Sequence, residues 1–290
     1  MGRPRADARA ALGRLTVAGE RGSGEPEDGV PGRTRGAGGG APVVDAQAVA
    51  RWLERFARLV ERDRDLLTEL DAAIGDADHG LNMARGMAAV RGRLAGSTPG
   101  GEGPSGGSPA SPAATPASLC RDAAMTLIST VGGASGPLYG TFFLRLAGAL
   151  PPGAEVDPAA FVAGLRAALD GVAARGHASP GDKTMLDAIA PAVEALEAAV
   201  GAPPSAGSVD AWAAALRRAA DAAALGSDAT IPLVARRGRA SYLGDRSAGH
   251  RDPGAASSAL LFAALADALA PEEPSPGERG RGGPGEAAGS

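Results

Sequence analysis

Residues 70 to 83 read Leu70-Asp71-Ala72-Ala73-Ile74-Gly75-Asp76-Ala77-Asp78-His79-Gly80-Leu81-Asn82-Met83, and they gather three carboxylates, an imidazole, a carboxamide and two glycines in one run. Leu59, Leu66, Leu67 and Leu70 precede Asp71 at helical spacings, which places Asp71 at the end of an apolar helix that Gly75 then breaks. Asp76 and Asp78 follow on an irregular segment, where alternate side chains can converge with Asp71. Three carboxylates brought together repel, and a hard divalent cation is their natural neutraliser. Ligands that are all oxygen favour magnesium over zinc. An EF-hand loop beginning at Asp76 fails, because its fifth, sixth and twelfth positions would be Gly80, Leu81 and Met87. A solvated acidic loop capping a helix that begins near Gly80 is the other reading of this cluster, and on the cluster alone both stand open.

Three more polar stretches carry chemistry. Gly132-Gly133-Ala134-Ser135-Gly136-Pro137 ends one apolar helix and starts another; with Pro137 in the first turn, the amides there point outward and favour an anion, although a plain glycine-rich turn has the same composition. Residues 175 to 185, Arg175-Gly176-His177-Ala178-Ser179-Pro180-Gly181-Asp182-Lys183-Thr184-Met185, hold the single lysine of a chain with 29 basic residues. They are not a P-loop, since Asp182 stands where a glycine must precede the lysine and no strand comes before. Residues 236 to 254 form a long polar loop of a kind that usually binds something. His79, His177 and His250 all fall in these loops.

The elements that must position these stretches are helices. Asp45 is a candidate N-cap for a helix through Val49, Trp52, Leu53, Phe56, Leu59 and Val60 to Leu70. Further helices are expected over 81–94, 119–131, 138–149, 158–174, 183–200, 209–226 and 255–269. This gives eight helices, no convincing strand and an all-α fold. If neighbours run antiparallel, the four polar loops, which follow the first, third, fifth and seventh helices, lie at one end.

Residues 1–41 and 271–290 are rich in Gly, Pro, Arg and Glu and read as disordered tails; 96–116 reads as a flexible Ser/Gly/Pro insertion within a domain spanning 42–270. Hydrophobic residues make up 44% of the chain but aromatics only 3%, so alanine, leucine and valine must build the core. A net charge of −4 gives no electrostatic footprint for nucleic acid. The single Cys120 excludes an internal disulfide and sits in an apolar pattern as core filling. Neither a secretory h-region nor an 18-residue apolar run is present, so a cytoplasmic protein without a membrane partner is expected.

The stretches LDAAIGDADHGLNM, GGASGPLYG, RGHASPGDKTMLDA and GRASYLGDRSAGHRDPGA closely resemble, in order, the motifs of the L subunit, or nucleotide-binding domain, of the dihydroxyacetone kinase family, over residues 43 to 270. The resemblance implies an eight-helix antiparallel barrel with ADP or ATP bound at one end through two magnesium ions. By motif, Asp71, Asp76 and Asp78 resemble the magnesium ligands; His79, Gly80, Leu81 and Asn82 resemble nucleotide contacts beside them, and Ala134 with Ser135 a phosphate contact. Gly176 and Met185 resemble parts of the adenine and ribose pocket, and Arg239 with Asp252, Pro253 and Gly254 the remaining contacts. Lys183 receives no family role and is read as a helix-start cation.

The implied reaction passes a phosphoryl group to dihydroxyacetone held covalently on a separate K subunit. The donor is either exchanging ATP, or ADP rephosphorylated in place by a phosphotransferase-system protein. No catalytic proton acceptor is assigned on this chain, and a homodimer stays open. His79 separates the chain from fatty-acid kinase relatives, which carry threonine there. A kinase subunit for another sugar or triose, and a noncatalytic ADP-sensing module that binds a regulator, are the alternatives.

Overall fold

The computed structural model describes residues 41–96, 114–201 and 208–269. The expectations for the tails and for most of the insertion lie outside the described residues. The fold is all-α: α1 (Ala46–Arg62), α2 (Arg64–Ile74), α3 (His79–Gly96), α4 (Pro116–Thr130), α5 (Ser135–Ala149), α6 (Pro158–Gly176), α7 (Leu186–Val200), α8 (Val209–Ala229) and α9 (Pro253–Leu269), with a 3-10 helix over Arg239–Ser247. Two-residue strands, β1 (Val44–Asp45) and β2 (Glu155–Val156), pair antiparallel with Val44 opposite Val156.

The expected first helix is two helices. Residues 61–65, Glu-Arg-Asp-Arg-Asp, are all charged, so the apolar stripe that anchors α1 pauses between Val60 and Leu67. At Asp63 the backbone leaves the helical region (φ −99, ψ 14), and Asp63 O then accepts from Leu67 N at 2.9 Å to start α2. α4 begins at Pro116, inside the expected insertion, because Thr115 and Ser118 form a reciprocal capping box. The 3-10 helix lies in a stretch expected to be loop. Asp45, Asp157 and Ser208 cap α1, α6 and α8 by accepting from the backbone three residues on.

Consecutive helices pack on one another from α3 to α9, α1 packs on α3, and α9 returns to α1. Trp52, Phe142, Phe143 and Phe161 form the aromatic centre, with Trp52 and Phe143 ring centroids 5.5 Å apart and Trp52 Nε1 donating to Leu261 O at 2.9 Å. α9 is buried on almost every face, as a helix apolar all round must be. Its alanines and serines let α1, α7 and α8 approach closely. Cys120 is buried, and desolvation pushes its thiol up to about 12. Among the described residues no helix is long and apolar enough to cross a membrane.

Candidate functional site

A pocket of about 350 Å³ opens where the four polar stretches meet. The end of α2 with the acidic loop forms one wall, the turn at 132–135 another, the end of α6 with residues 178–185 a third, and residues 237–240 with 252–254 close it. The expectation that these loops share one end is therefore met.

Asp71, Asp76 and Asp78 each bring a carboxylate oxygen within 4.8 Å of the others. α2 carries Asp71 one turn before its end, and Asp71 Oδ2 accepts from Asp78 N at 2.9 Å and His79 N at 3.1 Å. One oxygen thus caps the start of α3, while the carboxylate as a whole stays within reach of Asp76 and Asp78. A Cβ on Gly75 would lie 2.0 Å from Asp71 Oδ1, so the slot filled by that oxygen exists only because residue 75 has no side chain. Ala77, between the two exposed-side carboxylates, adopts the left-handed φ of 61°, a strain of the kind that clusters at functional sites. Arg239 Nη1 lies 3.0 Å from Asp76 Oδ2 and supplies the local counter-charge. These oxygen donors fit a hard divalent cation.

His79 is buried between two hydroxyls: Nδ1 lies 3.0 Å from Ser135 Oγ and Nε2 2.9 Å from Ser257 Oγ. Burial pushes the imidazole pKa below its usual value, against the pull of Asp71 and Asp78. The chain of contacts continues inward, from Ser257 to Tyr139 OH at 2.8 Å and on to Ser258 at 3.1 Å. The buried serines of α9 and Tyr139 of α5 thereby fix a ring whose other edge holds Ser135 at the pocket.

On the opposite wall Lys183 is 1% exposed, with its backbone at a left-handed φ of 62°. Its Nζ donates to Thr230 O at 2.6 Å and to His250 O. Desolvation lowers its pKa, while Asp252 and Asp187 oppose that shift. Asp252 caps α9 by accepting from Ala255 N at 2.7 Å, and burial pushes its carboxyl up to about 7. Asp187 folds the 181–184 segment by accepting from Gly181 N and from Thr184 N, the latter at 2.7 Å.

Of the residues expected in the site, Asp71, Asp76, Asp78, His79, Ala134, Ser135, Gly176, Met185, Arg239, Asp252, Pro253 and Gly254 all line the pocket. Gly80, Leu81 and Asn82 do not. Gly80 faces α2, where an added Cβ would meet Arg64 O at 2.0 Å. Leu81 is exposed on the outer face of α3, and Asn82 lies behind Gly132 and accepts from Arg85 at 2.7 Å. Lys183 is not at a helix start, since α7 begins at Leu186. His177 caps the end of α6, and His250 offers its carbonyl to Lys183. Sequence reasoning missed Ser257, Tyr139 and Thr230; the polarity of Ser257 and Tyr139 inside apolar helices was the available signal, while Thr230, at the end of α8, carried none.

Comparison with known proteins adds four findings. A family model for the DAK2 domain matches residues 73–267. The PEP-dependent dihydroxyacetone kinase, ADP-binding subunit DhaL, of Escherichia coli (strain K12) is 40% identical over 222 residues, which cover 75% of this chain and 94% of that protein. The D-erythrulose kinase of Mycolicibacterium smegmatis (strain ATCC 700084 / mc(2)155) is 35% identical over 77% of this chain and 36% of that protein. In structure, the native dihydroxyacetone kinase of C. freundii superposes with a TM-score of 0.54 at 25% identity, over 84% of this chain and 38% of that one. With the family model covering most of the described helices and the E. coli subunit matched nearly end to end, the chain belongs to the DAK2 domain family.

Proposed function

We propose that this chain is the nucleotide-bearing subunit of a dihydroxyacetone kinase, and that the pocket binds ADP or ATP with magnesium. The observation that carries this reading is the convergence of Asp71, Asp76 and Asp78 in a pocket that the start of α5 also lines. Asp71, Asp76 and Asp78 would hold two magnesium ions, which would supply positive charge to offset that of the ligand's phosphates. The outward amides at Ala134 and Ser135 suit a phosphate, and Arg239 adds a cation on the opposite side. Leu138, Val172, Met185 and Pro253 give the apolar surface that a base would stack on. No side chain here need accept a proton. The chain's work is to bind, orient and neutralise.

The name of the E. coli relative supports a donor cycle in which ADP stays on the subunit and is rephosphorylated in place by a PEP-linked phosphotransferase protein. A separate K subunit would present the acceptor. The ring of helix contacts is read as the family's antiparallel barrel, with α1 and α2 together forming one of eight staves. The D-erythrulose kinase relative favours one second reading, a subunit serving a longer ketose. The acceptor then depends on the partner, because none of the pocket walls described here is assigned to it.

Calorimetric titration of ADP with and without magnesium, into wild type and Asp76→Ala, tests the site. Magnesium-dependent binding that weakens at least about tenfold in the variant (~1.4 kcal/mol) is expected. A wild type that binds no ADP in either condition refutes the nucleotide reading.

A further inference from the structure

Lys183 is a buried cation at the pocket wall, and the reaction as read above gives it no task. Three observations make it more than a filler. It is the single lysine among 29 basic residues, so an ammonium rather than a guanidinium stands here in a chain that uses arginine elsewhere. It takes a left-handed φ of 62°, a backbone conformation that disfavours any residue with a Cβ and that glycine would adopt freely. And its ammonium joins two backbone carbonyls that are 47 and 67 residues away in sequence.

Those two carbonyls belong to a single junction. Thr230 gives its carbonyl to Lys183 and its hydroxyl to Asp252 N, at 2.9 Å, while Gly249 N donates to Ile231 O at 2.7 Å. His250, the second acceptor of Lys183, lies between these two anchors. The chain from 249 to 252 is therefore held at three points on the end of α8, and it leads directly into Pro253 and Gly254. At Gly254 a Cβ would lie 3.0 Å from Asp252 Oδ2 and in ordinary contact, 3.5 Å, with Met185 Cβ, so the turn packs against residue 185. Lys183 thus sits two residues from Met185 on one side and clamps the approach to Gly254 on the other. A compact point charge with three freely rotating donors suits two converging carbonyls.

We propose that Lys183 is a positioning residue for nucleotide binding: by tying Thr230 O to His250 O it holds the Asp252-Pro253-Gly254 turn against Met185, and so sets the wall on which the nucleoside end of the ligand rests. The inference rests on the nucleotide reading of the pocket. It assigns no contact between Lys183 and phosphate, and it leaves the acidic cluster, which is built from α2 and the loop to α3, independent of the lysine.

Lys183→Met, which keeps length and apolar volume but removes the ammonium, is the test. ADP with magnesium, and Mn²⁺ alone, are titrated calorimetrically into wild type and variant, with thermal melts alongside. The expected result is a loss of ADP affinity of at least about tenfold with Mn²⁺ affinity within about twofold of wild type. A merely structural lysine would lower both together through the folded fraction, and that result overturns the proposal; so does unchanged ADP affinity in a folded variant. If Lys183→Met does not fold, Lys183→Gln decides: it removes the ammonium that spans both carbonyls and keeps a neutral polar side chain, and selective loss of ADP binding in that variant sustains the positioning role while ADP affinity equal to wild type refutes it. Should wild type bind Mn²⁺ but no ADP, the nucleotide reading itself has failed, an outcome distinct from any of these.

Discussion

A methyl group at Gly75 would sit 2.0 Å from Asp71 Oδ1, so Gly75→Ala must push that carboxylate out of the cluster. Helix content should survive, because Gly75 lies past the last turn of α2. Mn²⁺ binding followed by electron paramagnetic resonance should weaken by about tenfold or more, and an affinity equal to wild type would show that Asp71 Oδ1 does not serve the cation. At this scale the acidic cluster was readable from sequence because Asp71, Asp76 and Asp78 lie within eight residues, where local spacing determines who meets whom. Lys183 and Tyr139 were not readable in the same way. Tyr139 meets Ser257 across 118 residues, and nothing in a helical stripe marks which buried hydroxyl will face another.

Between elements, the close approach of α2 and α3 is what turns the acidic loop back on itself. Gly80 permits it: an added Cβ would lie 2.0 Å from Arg64 O and 2.4 Å from Thr68 Oγ1. Because the obstacle is backbone, Gly80→Ala should separate the two helices and destabilise the fold by about 1–3 kcal/mol, measured by urea unfolding. An unchanged midpoint would mean that α3 can shift freely along α2. The helices themselves were legible from their stripes, and their ends were less so. The all-charged run at 61–65 gave the break between α1 and α2 a sequence signal, but helix propensity alone runs straight through it. The 3-10 helix at Arg239–Ser247 docks through the small cluster of Ile74, Ala235, Ala240 and Leu243, and so few apolar contacts, spread over distant segments, leave no periodic trace.

For the molecule as a whole, α9 is the element on which folding closes, since it meets both α8 and α1. Asp252 caps its start, and burial raises that carboxyl from 3.8 to about 7. The sign follows from linkage. Between pH about 4 and about 7 the folded chain holds a proton that the unfolded chain has released, so this group's contribution to stability is complete below about pH 4 and is lost as pH rises towards 7. Asp252→Asn keeps an oxygen for Ala255 N and removes the titration. Its urea midpoint should vary less between pH about 5 and about 8 than that of wild type, and parallel curves would show that Asp252 titrates normally. The all-α class and the shared end of the four loops followed from helix count and alternation. Closure of α9 on α1 did not, because it depends on contacts such as Trp52 with Leu261, 209 residues apart.

The alternation that brings the four loops together also sends every other junction away from them. α3 departs from the acidic loop and runs 18 residues to Gly96, about 27 Å at the usual helical rise, and α4 returns from Pro116 to the glycine turn. α7 and α9 likewise start at the pocket and run outward, and Arg51 near the start of α1 reaches Ala268 O near the end of α9 at 3.2 Å. The start of α1, the ends of α3, α7 and α9 and the starts of α4 and α8 therefore form the pole away from the pocket, which none of them lines. An affinity tag, a fluorophore or a whole fused domain attached at that pole would leave the working face clear, so the molecule can be tethered from behind and still be presented to a partner.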